Sequence, residues 1–240
     1  MKFKASWKGK RLTVDILHSQ AGVAQQLWIA NVKGAILVDS GDGTLRDILK
    51  RDLNYNRLQG ILFTHGHFDH VSGLHALLGF LRMVGKEEPL PIFAPEGCNE
   101  VLNIVDAFLR SYPDTIPFDI SLREISDQEV LHLCGMEIKA FSVVHCGSIE
   151  KAGILGPIPA LGYRISYQGE SIAISGDTGL CPSLKPLIRG ADLAILDATY
   201  KTNAEAGRKA LRNVHLSEEA AGELGKLAKD YILVHKGERH

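Results

Sequence analysis

Apolar positions fall in short runs that alternate between period-two and helical spacing. Leu12 to Leu17 and Gln26 to Ala30 read as two β segments. Ala35 to Val38 is a short apolar strand, and Asp39-Ser40-Gly41-Asp42-Gly43 is its turn signal. Thr44 to Leu53 reads as a helix with Thr44 as cap. Ile61-Leu62-Phe63-Thr64 is a short buried strand that runs directly into a group of histidines. Leu74, Leu77, Leu78 and Leu81 then recur at helical spacing. Pro91 to Ala94 is a further strand. Val101, Leu102, Ile104, Val105, Phe108 and Leu109 mark one face of an amphipathic helix that ends before Pro113.

The second half repeats the theme. Val130 to Leu133 and Ile138 to Val144 form a hairpin turning at Gly135, and Tyr163 to Tyr167 and Ser171 to Ile174 form another around Gln168-Gly169. Leu184, Leu187 and Ile188 predict a short helix after Pro182, and Leu193 to Leu196 a strand. Ser217 caps a helix through Ala220, Leu224 and Leu227, with Glu218 and Glu219 in its first turn. Tyr231 to Val234 is the last strand. No linker or low-complexity tract divides residues 1–240, so one domain is expected. The frequent hairpins suit two packed sheets with helices outside, not a doubly wound parallel sheet.

Composition narrows this little. Of 240 residues, 45% are hydrophobic and 23% charged, as in ordinary globular proteins. With 27 basic and 28 acidic residues the net charge is -1, so no basic excess points to DNA or other nucleic acid. Cys98, Cys134, Cys146 and Cys181 form no C-x-x-C pair. Met1 to Trp7 lacks the apolar stretch of a signal peptide, and no window has the length of a membrane span. A cytoplasmic protein with reduced thiols and no membrane partner is expected.

The chemistry lies in His65-Gly66-His67-Phe68-Asp69-His70, where four potential metal ligands fall within six residues. Imidazole and carboxylate donors suit zinc, iron or manganese. Gly66 and Gly73 let the backbone turn and approach closely. Leaving a strand as a turn, the segment can aim His65 and His67 one way and Asp69 and His70 another, which serves two ions better than one. His145, Asp177 and His235 each follow an apolar strand, so they converge on the same rim.

Thr64-His65-Gly66-His67-Phe68-Asp69-His70 resembles the H-x-H-x-D-H motif of the metallo-β-lactamase superfamily. The likeness implies an α/β fold, the four-layer αβ/βα sandwich. It implies one divalent ion on His65, His67 and His145, a second on Asp69, His70 and His235, and Asp177 between them. It also implies that Asp39 supports the metal loop by hydrogen bonds. Within the superfamily the chain is most similar to the ribonuclease Z and phosphodiesterase branch. Gly41-Asp42-Gly43-Thr44, Ser175-Gly176-Asp177-Thr178, the stretch from Ala191 to Tyr200, His215-Leu216-Ser217, and Leu233-Val234-His235 with Arg239 carry that likeness. Two features depart from it. Only 31 residues separate His145 from Asp177, too few for the tRNA-grasping arm of ribonuclease Z, and the serine that follows the last histidine in that branch is absent, since Lys236-Gly237 follows His235.

The resemblance implies a hydrolase with a dinuclear-metal hydroxide as nucleophile, acting on a small phosphodiester or short RNA. Zinc is the expected metal, with manganese or iron as alternatives. A homodimer is also implied. Asp69 can accept a hydrogen bond from the hydroxide. His215 can stabilise the transition-state phosphoryl oxygens or protonate the leaving alkoxide, oriented by Asp197. Three alternatives stay open: His215 as a ligand in place of His235, a thioester, lactone or other carbonyl substrate, and a non-catalytic metal protein. His18 and the loop Ser19 to Gly22 are placed at the pocket border, His75 in packing, and His132 on the surface. Cys146 is read as buried filler pointing away from the site. The helix from Cys98 to Arg110 and the loop from Gly147 to Pro159 are the expected specificity elements.

Overall fold

The alternating runs become two mixed sheets laid face to face. The computed structural model describes residues 6–149 and 151–237. Most of the segment read for a signal peptide, Arg239 and the terminal His240 lie outside the described residues.

The first sheet contains β1 (Ser6–Lys8), β2 (Thr13–Gln20), β3 (Ala24–Ala30), β4 (Ala35–Val38), β5 (Leu58–Leu62), β6 (Leu90–Pro95) and β7 (Ile120–Ile125), in that spatial order. Its first four strands pair antiparallel and the rest parallel. Helices α1 (Thr44–Lys50), α2 (Phe68–Val71), α3 (Leu74–Met83) and α4 (Asn99–Ser111) belong to this half. The second half supplies β8 (Val130–Leu133) and β9 (Met136–Ser142), then a separate hairpin of β10 (His145–Ile149) and β11 (Gly153–Ile158). It continues with β12 (Leu161–Tyr167), β13 (Glu170–Ile174), α5 (Leu184–Ile188), β14 (Leu193–Asp197), α6 (Asn203–Asn213), α7 (Glu218–Gly225) and β15 (Tyr231–Val234). Its sheet runs β15-β14-β13-β12-β9-β8, parallel among the first three and antiparallel beyond.

Period-two alternation assigns the faces. In β3, Leu27 and Ile29 enter the cluster between the sheets, while Trp28 and Ala30 face α3 and α4. In β14, Leu193 and Ile195 point inward, and Ala194 and Leu196 pack with α5 and α7. The inner cluster draws on both sheets, through Val14, Ile16 and Leu27 on one side and Tyr163, Ile172 and Ile195 on the other. The layers are therefore helix, sheet, sheet, helix, the α/β sandwich that the resemblance implied.

Several sequence expectations need correction. Thr44 is not the cap of α1. Gly43, at φ 75°, holds that position, and Thr44 Oγ1 instead donates to Gly41 O at 2.8 Å. In α4 the buried face is Val101, Val105 and Phe108, and Leu102 and Leu109 are each 36% exposed. Ser217 does cap α7, accepting from Ala220 N at 3.0 Å. The sequence did not reveal β1, β7 or α6. Among its described residues α6 buries none, so it has no apolar periodicity to read. The Gly- and Pro-rich stretch after His145, read as a loop, is the β10–β11 hairpin. It stands apart from both main sheets, where Pro157 interrupts no central ladder. The four cysteines are unpaired. Among the described residues no helix is long and apolar enough to cross a membrane.

One carboxylate ties the chain's beginning to its middle. Glu170, 8% exposed at the start of β13, accepts N–H bonds from Lys10, Arg11 and Leu12 at 2.8, 2.8 and 2.7 Å. Glu170→Ala strands three donors and is expected to cost about 2–4 kcal/mol by urea denaturation. Glu170→Gln, which keeps an acceptor but not the charge, should cost less.

Candidate metal centre

Six strand ends deliver the site. Past β5, Phe63 and Thr64 continue to His65. Thr64 O accepts Leu161 N at 2.8 Å, and Phe63 O accepts the Tyr163 hydroxyl at 2.5 Å, so this segment is fastened to the opposite sheet. His67 precedes α2, which carries Asp69 and His70. His145 opens β10, Asp177 lies three residues beyond β13, Asp197 ends β14, and His235 follows β15. Asp39 follows β4.

Three of these ends leave the sheet through left-handed backbone: Asp39 at φ 61°, Gly176 at φ 61° and His235 at φ 56°. Such a conformation disfavours a non-glycine residue by roughly 1–2 kcal/mol. It turns the chain sharply, and strain of this kind gathers at functional sites. At Gly176 a Cβ would also stand 2.9 Å from Thr64 Cβ and 3.0 Å from Leu161 O. Gly73 serves close approach and not a left-handed turn. A Cβ there would lie 2.1 Å from Gly41 O, where Gly73 N donates to Ser40 O at 2.8 Å. Ser40 N in turn donates to His70 O at 2.7 Å, so the turn after β4 is zipped to α2.

The side chains gather in overlapping groups whose donor atoms lie within 4.8 Å of one another. His65, His67 and His145 form one group. Asp69, His70 and His235 form another. Asp177 joins His65 and His70 in a third. Asp177 Oδ2 lies 3.8 Å from His65 Nε2, 3.3 Å from His70 Nε2 and 3.2 Å from His235 Nε2. A fourth group holds Asp177, Asp197, His215 and His235.

Hydrogen bonds behind the cluster fix the ring faces. Asp39 accepts Thr64 N at 2.8 Å, Thr64 Oγ1 at 2.9 Å and His70 Nδ1 at 2.8 Å. This is the supporting role the resemblance implied for it. His145 Nδ1 donates to Val214 O at 2.7 Å. His235 Nδ1 meets Thr199 Oγ1 at 3.0 Å, and that hydroxyl donates to Asp197 at 2.8 Å. With Nδ1 engaged outward, each of these rings turns Nε2 inward. The sequence reading did not single out Thr64, Thr199, the Val214 carbonyl or the Gly22 N–H, which donates to Asp69 at 2.8 Å. Only Thr64, adjacent to His65, carried any local signal.

The inward nitrogens test whether a metal fits. His65 Nε2 and His70 Nε2 are buried without a hydrogen-bond partner. His70 Nε2 is close to Asp177 but lacks hydrogen-bond geometry. Buried polar atoms are rarely left so, because the desolvation is uncompensated. Lone pairs converging from nitrogen and carboxylate donors are what a divalent ion of the zinc, manganese or iron type requires. His65, His67, His145, Asp177, Asp69, His70 and His235 could supply two such ions.

Electrostatics describe the same demand. Burial pulls His65 well below the usual imidazole range and His145 down to about 4. At His70 burial is outweighed by Asp177 and Asp39, which hold it well above that range. Asp177, the nearby Asp197 carboxylate and the hydrogen bond with Asp69 likewise overcome burial at His235 and raise it to about 10. Against its own burial, Asp177 is held well below the carboxylate range by His235 and His70. The buried carboxylates call for positive charge at this cluster, which a divalent ion would supply.

A cavity of about 430 Å³ opens over the cluster, lined by His67, Asp69, His145, Asp177, His215 and His235 together with residues of the β10–β11 hairpin. A recess of about 500 Å³ at the opposite rim, beside Glu170, Asp192 and Lys229, contains no histidine. Ala21 and Gly22 line the site cavity, whereas His18 sits inside β2 and does not. Cys146 is buried at 7% exposure, as expected, but it lines the cavity beside His145 and does not point away from it. No residue of α4 is among the lining residues, so that expected specificity element is withdrawn. His75 packs edge-on against Phe108, and His132 is exposed.

Comparison with known proteins fits this geometry. Residues 35–235 match the family described as β-lactamase superfamily domain. A ribonuclease Z of Lachnospira eligens is 29% identical over 216 residues, covering 81% of this chain and 68% of its own. The human tRNase Z, short form, superposes with TM-score 0.75 at 24% identity, covering 94% of this chain and 93% of its own. A diphosphatase of the PhnP family superposes with TM-score 0.70 at 21% identity, covering 95% and 87%. At such identities the two structural likenesses speak for the fold.

Asp39→Asn keeps a residue type that tolerates left-handed backbone but can present an N–H to His70 Nδ1. The ring is then driven to the tautomer that closes Nε2. Metal titration should show one ion bound about 10–100-fold more weakly, with the fold intact by circular dichroism.

Proposed function

The chain belongs to the β-lactamase superfamily, and we propose that it is a metal-dependent phosphodiesterase, similar to ribonuclease Z but built for small substrates. The observation that carries this reading is the His215–Asp197 pair at the cavity wall. His215 Nδ1 lies 3.0 Å from Asp197 Oδ2, and His215 lines the cavity. The nitrogen nearest Asp177, at 3.9 Å, is that same engaged Nδ1. This supports a proton-transfer role for His215 and argues against its being a ligand.

We assign one ion to His65, His67 and His145, a second to Asp69, His70 and His235, and Asp177 to the position between them. Zinc is the proposed metal. When bound, two ions supply a water of lowered pKa and stabilise charge on the attacked phosphorus. The chain's own groups do the rest. Asp69, fixed by Gly22 N–H and 3.3 Å from His235 Nε2, is placed to accept a hydrogen bond from the attacking water. His215 in its protonated form, with Nδ1–H held by Asp197, would give its Nε2 proton to the departing alkoxide. Asp197 is a positioning residue. Thr178 N, Thr199 Oγ1 and Leu216 N donate to it at 3.1, 2.8 and 3.3 Å, and by accepting Nδ1–H it orients His215 with Nε2 toward the substrate.

The short connection between His145 and Asp177 supports small phosphodiesters or short RNA as substrates, since the β10–β11 hairpin occupies the place of an arm. Metal-loaded protein is expected to hydrolyse bis-p-nitrophenyl phosphate faster than thioester, lactone or lactam substrates. His215→Ala should lower kcat on the diester about 10²–10³-fold while metal content per chain stays the same. Loss of an ion in that variant would reassign His215 as a ligand. Two bound ions with no turnover of any phosphodiester would overturn the reading.

A further inference from the structure

The cavity's charge is confined to its floor. Among its described lining residues there is no lysine or arginine. Its mouth is apolar instead. Phe68, the first residue of α2, is 65% exposed, and Ile149 and Leu155 of the β10–β11 hairpin are 55% and 43% exposed. Three large apolar side chains held out around one opening mark a contact surface. Leu155 reaches down to the histidines. A Cβ built on Gly147 would stand 3.4 Å from both Leu155 Cδ1 and His67 Nε2. Phe68 lies one residue from His67 and one from Asp69. The apolar groups therefore adjoin the reacting centre directly.

This pattern suits one kind of substrate better than another. A polyanion gains affinity from cations spaced along its phosphates. Arg208, Lys209 and Arg212 of α6 are exposed and lie outside the cavity lining, and no lysine or arginine is among the described residues that line it. A volume of about 430 Å³ has room for a phosphate and one ring system. Building on the phosphodiesterase reading, we propose that the pocket takes a phosphodiester with a single anionic centre and one planar aromatic group, held between Phe68 and the Ile149–Leu155 hairpin. Phe68 and Leu155 are thereby specificity-determining residues, with Phe68 offering a ring face and Leu155 a flat aliphatic wall.

The test compares two monoanions that differ only in apolar surface. Zinc-loaded protein is titrated calorimetrically with diphenyl phosphate and with dimethyl phosphate. The aryl ester is expected to bind at least about tenfold more tightly, as burial of one ring face implies. In Phe68→Ala, and separately in Leu155→Ala, the ratio should fall to about threefold or less. Both side chains are exposed, and unchanged thermal unfolding will show that the variants fold. Equal affinities in the wild-type protein, alongside turnover of bis-p-nitrophenyl phosphate, would sink the aromatic clamp and leave the phosphodiesterase reading standing. Failure to bind or turn over any diester would sink both. An octaribonucleotide that binds more tightly than diphenyl phosphate, with an affinity that drops steeply as salt rises, would replace the proposal with a polyanion site.

Discussion

A carboxylate removed from water must be matched by positive charge, and Asp177, 3% exposed, sets that requirement for the molecule. It lies where the two sheets meet at one rim. His65 and His70 reach it from the first sheet, and His235 from the second. Neither half of the chain can satisfy it alone. The close approach of Ser40 to α2, the left-handed turns at three strand ends, and the Thr64 carbonyl bond to Leu161 all bring donors from both sheets to this one oxygen pair.

A second buried carboxylate gives the site its chemical character. Asp197 is built like a ligand, with backbone and hydroxyl donors on both oxygens, yet it spends one of them on His215. The cluster around Asp177 suits many hydrolases of this architecture. In the proposed reaction the imidazole held by Asp197 acts on the leaving group, and the hairpin over the opening contacts the rest of the substrate. These two functions fall on separate segments, so they can vary independently.

Much of this was legible in the sequence, for physical reasons that differ by element. The run from His65 to His70 is dense enough to read locally. His145, Asp177 and His235 could be found because strand ends in a packed sandwich share a rim. The sheets declared themselves where one face is buried, as in β3 and β14. Elements without a buried face did not. Helix α6 lies on the surface with no apolar stripe, and β7 has three exposed positions among six. Alternation alone placed Cys146 away from the site, whereas it is buried in the cavity wall beside His145. The left-handed conformations of Asp39 and His235 left no mark in the sequence, since neither residue is a glycine. Helix α4 was expected to shape specificity, but its buried face packs on the first sheet's outer side and none of its residues lines the cavity.

Strand β13 carries a demanding residue at each extreme. Glu170 at its start gathers three backbone donors from the segment before β2, and Asp177 just past its end gathers imidazoles. The strand is thus a strut fastened at both rims. A slide of one residue against its neighbours would reverse its inward and outward side chains and pull both carboxylates from their partners together. Mispairing of this central strand is penalised at two distant places at once, so the interactions that prepare the site also proofread the alignment of the sheet beneath it.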